Sequence, residues 1–342
     1  MPAYEERLAA LCGIGPTVRG LMAQYCADHP APRETADFFA AVEFEALPAE
    51  VTCMAAAVCA AGGYAGVPAY VMPRLRGITK YVHTLNAGQL SGLCAFGRQC
   101  REKGIPLLTR DATAIRLAYP DCSQRHLWQV DASVPAAFFQ QALSMARRSG
   151  YEVRQSGASA NLRKSVTQSM MLYPCAGEWE ENVCPLERNG VVFMQPTAEA
   201  LLVGVLEQGF RILYQPYPGS GLVRWLMDAH AVLSGPVDWA AAAGLAAKQS
   251  LSGQMLLMLD VYRLLAGRPL PEAAAACFPA GPEANRLLVL LERLRAIPPG
   301  TKRARRLWLL TRLEQPEHLS GAAICFLKRG AAALLRRLAP PG

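Results

Sequence analysis

Between Gly104 and Pro196 the apolar residues change period, and this change limits the possible folds more than any other feature of the chain. Inside that stretch, IPLL (105–108), LWQVDASV (127–134), YEVRQS (151–156), KSVTQSMMLY (164–173) and GVVFMQ (190–195) are short runs rich in β-branched and aromatic residues, which predict strands. Between the second and third lies PAAFFQQALSMARRSG (135–150), with Pro at its start and Gly at its end, the punctuation of a helix. A strand, a helix and further strands in so short a span predict a small mixed sheet, and with helical flanks the fold class is α+β.

The flanks keep a helical period. Residues 1–84 are rich in alanine, and ETADFFAAVEFEAL (34–47) has acids in its first turn and stops at Pro48. A helix is expected over 85–103, with Asn86 as its cap and Leu90, Leu93, Cys94, Gly97 and Cys100 at helical spacing before Gly104. Beyond Pro196, helices are expected at 197–214, 222–234, 238–250, 252–266, 283–296, 302–314 and 321–338, separated by PYPGSG, GRPLP and IPPG. No fixed-period repeat is present. The expected organisation is an N-terminal helical region (1–84), an α/β core (85–195) and a C-terminal helical domain with a basic tail (196–342).

Composition and motifs disfavour several function classes. With 52% hydrophobic and 18% charged residues among 342, the chain is not a disordered polypeptide. The uncharged window 51–73 is mostly alanine and is broken by Gly62-Gly63 and Pro68, so a buried helix and turn are expected rather than a membrane span. Glu5, Glu6 and Arg7 precede a very short apolar run, which is not the pattern of a secretory signal. Eleven cysteines without a CxxC disfavour zinc ribbons and thioredoxin-type redox motifs, and free thiols among alanines and leucines fit a reducing cytoplasm. The five histidines show no HExxH, and GxGxxG, GxxxxGK[ST] and GxSxG do not occur, which argues against zinc, Rossmann, P-loop and α/β-hydrolase chemistry.

Charge is uneven. The net +8 lies in the tail, where residues 286–342 carry twelve Lys/Arg against three Glu. TKRARRLWLLTRL (301–313) sets Lys302, Arg303, Arg305, Arg306 and Arg312 around an apolar run. Three uses fit that pattern: a stripe packed on the bundle with solvated charges, a surface for nucleic acid or an acidic protein, or a helix lying on an anionic membrane.

Seven pieces of the segment from Gln89 to Pro271 follow one another in a familiar order. They are GIPLLTRDATAIRLAYP (104–120), RHLWQVDASVP (125–135), a helix ending in Gly150-Tyr151, QPTAEALL (195–202), LVRWLMDAHAVL (222–233), Asp238-Trp239 and LLAGRPLP (264–271). In order and interval they resemble the uncharacterised bacterial nucleotidyltransferase family of the polymerase-beta-like superfamily, with its LLKGxAL turn, YYP, DIDLLV strand, GY, LRWLLD, DW and PLP. The resemblance covers roughly half the chain and implies a small nucleotidyltransferase-type sheet, a nucleoside triphosphate as donor and Mg²⁺ as cofactor, with no organic cofactor.

Nucleotidyl transfer builds charge on phosphate oxygens, which two Mg²⁺ ions about 3.5–4 Å apart stabilise. Mg²⁺ takes oxygen ligands in octahedral geometry, so carboxylates must converge on it. A D-x-D on one strand puts two side chains on one face, a neighbouring strand supplies a third acid, and a glycine turn lets backbone N–H groups reach the phosphates. By the resemblance, Gln129 and Asp131 stand at the D-x-D positions, with Asp131 the metal ligand, and Thr109, Arg110, Asp111 and Arg125 are the nucleotide-binding set. The departures are large. Gln129 replaces the first acid, strand 164–173 offers Gln168, Ser169 and Met171 instead of a third, and Thr109-Arg110 replaces the Lys-Gly of the turn.

Asp131 therefore reads either as a residual metal ligand or as a polar residue at a strand end. Arg110 reads either as a phosphate ligand or as a solvated arginine, and Asp111 with Asp121 is a conceivable rearranged pair. The expectation is a nucleotidyltransferase-family protein with impaired or lost catalysis, weak Mg²⁺ binding and an acceptor that the sequence does not name. The alternative is a non-catalytic binding module acting through 286–342. Arg224 and Asp228, spaced i,i+4, are expected to form an ion pair within their helix or bundle. His230 is expected on a helix surface, and His126 near the cleft is not expected to act as a base.

Overall fold

Prolines divide the first part of the chain into short helices: α1 (Tyr4–Cys12), α2 (Pro16–Cys26), α3 (Pro32–Ala41) and α4 (Ala49–Ala61). Pro16 and Pro32 stand in the first turns of their helices, where a missing N–H costs nothing. The structure, a computed structural model, describes residues 3–118, 125–165, 167–175, 182–215, 217–279 and 282–295. The helix expected over 34–47 stops at Ala41 and is followed by a single 3-10 turn at Phe44–Ala46. The apolar window 51–73 is the buried α4 and a run of turns, and among the described residues no helix is long and apolar enough to cross a membrane.

Next comes α5 (Met72–Glu102), one helix of 31 residues. It passes through the boundary expected at 84–85, so Asn86 is not a cap but a buried residue in mid-helix. The remaining elements are β1 (Leu108–Thr109), α6 (Asp111–Ala118), β2 (Val130–Pro135), α7 (Phe139–Arg148), β3 (Glu152–Ser156), β4 (Ser159–Ser165), β5 (Gln168–Cys175), β6 (Val183–Arg188) and β7 (Val191–Pro196). After them come α8 (Ala198–Leu213), α9 (Gly219–Leu233), α10 (Trp239–Lys248), α11 (Ser252–Ala266), α12 (Glu272–Cys277) and α13 (Pro282–Arg295).

The α+β class holds. The sheet has the order β3-β4-β5-β2-β1-β7-β6 and is mixed: β2 runs parallel to β5, β1 parallel to β7, and the other pairs are antiparallel. Two features differ from the sequence reading. The run 164–173 is not one strand, since Lys164 and Ser165 end β4 and Gln168 to Tyr173 belong to β5. β6 also carries Pro185, which demotes it as a strand by pattern but is tolerated at the sheet edge, where β6 lies.

Among the described residues two apolar cores form. One joins the early helices to the late ones, with Leu8, Met22 and Met54 packed alongside Leu206, Trp225 and Leu257, so the two flanking regions make a single helical body. The other lies on one face of the sheet, where Phe96, Val130, Leu143, Leu172 and Phe193 meet. α5 serves both, with Leu75 in the helical core and Phe96 in the sheet core.

A cleft between the sheet and the helical body

Strand alternation sets the floor of the site. Val130, Ala132 and Val134 of β2 are buried in the sheet core, so Asp131 and Ser133 point to the opposite face. Asp131 pairs in register with Met171 of β5, and Ser133 with Tyr173. The backbone of Asp131 is fixed by the turn that follows β1: its carbonyl accepts from the Arg110 N–H at 3.0 Å, and its N–H donates to Thr113 Oγ1 at 2.8 Å. Asp111, at the start of α6, takes a left-handed φ of 48° to make that turn.

One oxygen of Asp131, Oδ1, accepts from Gln129 Nε2 at 3.1 Å and from the Tyr173 hydroxyl at 3.4 Å. Arg110 does not line the cleft. Its guanidinium lies 5.1 Å from the centre of the Tyr173 ring and donates to Ser133 Oγ at 3.4 Å, so it positions the tyrosine from behind.

The helical body supplies the roof. Arg125 and Asp228 of α9 form a bidentate pair at 3.0 and 2.8 Å, and both residues are buried. Arg224 instead meets Glu50 of α4 at 3.3 Å. The expected Arg224–Asp228 pair therefore does not form, because each finds a partner on a different element. The segment leading into β2 is held from α5: Asn86 donates to the Arg125 carbonyl and accepts from the Leu127 N–H, both at 2.8 Å, while Gln89 donates to the Trp128 carbonyl and accepts from the Ser169 N–H. Between floor and roof is a cavity of about 520 Å³ whose walls include Asp111, Asp131, Tyr173, Arg125, Arg224 and Asp228.

Burial dominates the electrostatics. It pushes the Asp131 carboxyl up to about 6, and the neighbouring Asp111 charge adds to this, against the hydrogen bonds from Gln129 and Tyr173 and the Arg110 cation. Asp111 is open to the cavity but flanked by protein, which raises its carboxyl in turn; Arg110 opposes that shift and the Asp228 charge adds to it. His126 is pushed down to about 4 by burial and by Arg125 and Arg224, and its ring packs on Trp128 with centroids 4.1 Å apart. That low value makes it a weak proton acceptor, and its ring is committed to packing. His230 is half-buried rather than free on the helix surface: Nδ1 is 2.9 Å from the Tyr262 hydroxyl and its ring edges onto Tyr25.

Of the residues singled out by sequence, the structure brings Gln129, Asp131, Asp111 and Arg125 together around one cavity. Thr109 and Arg110 are placed elsewhere. Thr109 faces the interior, fully buried, with its hydroxyl directed at the Met194 carbonyl 3.4 Å away. Asp121, Lys302, Arg303, Arg305, Arg306 and Arg312 lie outside the described residues, as do the helices expected at 302–314 and 321–338. Tyr173, Trp128 and the Arg125–Asp228 link carry no motif; only period-two counting along β5 puts Tyr173 on the face of Asp131.

The donor set does not fit a two-magnesium centre. Asp131 and Asp111 are the acids on the floor, Asp228 is neutralised by Arg125, and the amide and phenol beside Asp131 turn N–H and O–H toward it. Among the described residues no group of three or more His, Cys, Asp or Glu is arranged to hold a metal ion. What remains is a polar cleft with two crowded carboxyls facing buried and half-buried arginines, suited to holding a polar ligand that carries both donors and anionic oxygens. No family model, curated protein or solved structure matches this chain.

Proposed function

We propose that this is a cytoplasmic nucleotidyltransferase-family protein whose cleft holds a nucleoside triphosphate while transferring its nucleoside monophosphate slowly or not at all. The observation that carries the reading is the β1–turn–α6–β2 unit, which sets Asp131 against the turn at Arg110-Asp111 and opens Asp131 and Asp111 onto one cavity. The seven ordered sequence pieces that resemble the family lend it the rest of its support. Loss of transfer follows from the donors around Asp131: an amide from Gln129 where the family has an acid, and a phenol from Tyr173 on the neighbouring strand. In this reading the more exposed Arg224 faces the phosphates, and Mg²⁺ arrives weakly with the nucleotide.

Thermal shift of the full chain with ATP, CTP, GTP or UTP and Mg²⁺ tests binding, because a ligand that binds only the folded state raises the melting temperature by mass action. A concentration-dependent rise that is lost in Arg224→Ala is the expected result; no shift with any triphosphate refutes the reading. Labelled triphosphates with Mg²⁺ or Mn²⁺ test transfer. Robust incorporation that Asp131→Ala abolishes would overturn the claim of lost chemistry.

A further inference from the structure

The polar face of the sheet does not end at the cleft. From Asp131 on β2 the register leads to Met171 and Ser169 on β5, then to Asn161 and Arg163 on β4, and finally to Arg154 and Glu152 on β3. These strands form a half-exposed floor that continues outward where the helical roof stops. It holds a second basin of about 280 Å³, lined by Trp128, Glu152, Arg154, Asn161, Arg163 and Ser169. Trp128 is 50% exposed and belongs to the walls of both the cleft and the basin, so its indole stands at the junction of the two. It is braced by the His126 ring at 4.1 Å, and its backbone is held by Gln89.

The chemistry of the basin selects its occupant. It has no aliphatic wall, so it lacks the apolar pocket that anchors a protein partner. Glu152 stands between Arg154, 2.7 Å away, and Arg163, its register partner on β4, so one acid meets two cations and the floor is net positive. A braced, half-exposed indole beside arginines and amide or hydroxyl groups is the pairing that holds single strands, because every base has a π-face and every linkage a phosphate. We propose that this face is a binding path for single-stranded nucleic acid, with a base stacked on Trp128 and the backbone phosphates on Arg154 and Arg163. Through Trp128 the path adjoins the cleft at Asp131. The path does not depend on a triphosphate occupying that cleft, so it is tested without nucleotide or metal.

Fluorescence anisotropy of the full chain with a labelled oligo-U dodecamer, measured across a salt series, decides the matter. Trp128→Ala is expected to weaken binding about tenfold or more, with Trp128→Phe restoring most of it, because stacking is worth about 1–3 kcal/mol per base. Arg154→Ala/Arg163→Ala should flatten the slope of log K against log salt by about 1.4, two phosphates at about 0.7 each for a single strand. Melting temperatures matching the wild type establish that the variants are folded. An oligonucleotide that fails to bind overturns the proposal. So does binding that is unchanged in both variants, which would assign it to another surface such as the basic tail.

Discussion

Asp131 is held where two effects oppose each other. Burial and the Asp111 carboxylate disfavour its charge, while Gln129, Tyr173 and Arg110 favour it, and the first pair prevails, so the carboxyl titrates near 6. In an unfolded chain an aspartate titrates near about 3.9. Between those values the native state binds the extra proton, so stability falls as pH rises through the window and is constant above it. Asp131→Asn keeps an acceptor for Gln129 and has no charge to bury. It should be more stable than the wild type at pH 7.5 by on the order of 1–2 kcal/mol, with the difference closing below about pH 4. Urea denaturation of both proteins at the two pH values checks this; equal stability at pH 7.5 would mean the carboxyl is not strained.

Gly209 on α8 marks a close approach between helices. A Cβ there would lie 2.4 Å from Trp225 Nε1 and 2.5 Å from Met258 Cε. Trp225 is buried and its indole N–H donates to the Val205 carbonyl at 2.8 Å, so it cannot retreat without losing that bond. Gly209→Ala should therefore destabilise by about 1–3 kcal/mol despite alanine's better helix propensity. Gly244→Ala on α10, where nothing lies within 4 Å, should be neutral or stabilising. Denaturant midpoints of the two variants make the comparison, and equal midpoints would remove the packing argument.

Elements of this kind were unequally legible in the sequence. Late helices such as α8 and α11 fall where apolar spacing and Pro-Gly punctuation predict them, because burial on one stripe leaves a period in the sequence. β4 was obscured because only Ala160 and Leu162 turn inward, between polar residues. The β6–β7 hairpin did leave a signal, since Asn189 and Gly190 both take positive φ in its turn, but Pro185 weakened the strand before it. Asn86 looked like a cap because its contacts are with residues 125–127, far along the chain. The site follows the same rule. Gln129, Asp131 and Asp111 could be found as a local pattern, whereas Tyr173, Asp228 and the position of Arg110 depend on register and long-range pairing.

At the scale of the whole molecule, the Arg125–Asp228 pair fastens the sheet layer to the helical body. Both partners are buried and every Asp228 oxygen shown is spent on the guanidinium. Asp228→Ala leaves that cation buried alone and should cost about 3–5 kcal/mol, whereas Arg125→Met/Asp228→Leu should recover most of the loss. Equilibrium unfolding reads both; a cost below about 1 kcal/mol for the single variant would show that the pair is not what joins the layers.

The 31-residue α5 is rooted by Leu75 in one hydrophobic core and by Phe96 in the other. Each residue of a helix turns its successor by about 100°. The azimuth of the sheet about that shaft is thus set by how many residues separate the two roots. Adding or deleting a single one between Gln89 and Leu93 would swing Asn86 and Gln89 away from the segment they clamp, although neither core had been touched. The spacing along this shaft is a property that substitution leaves intact and that length changes do not.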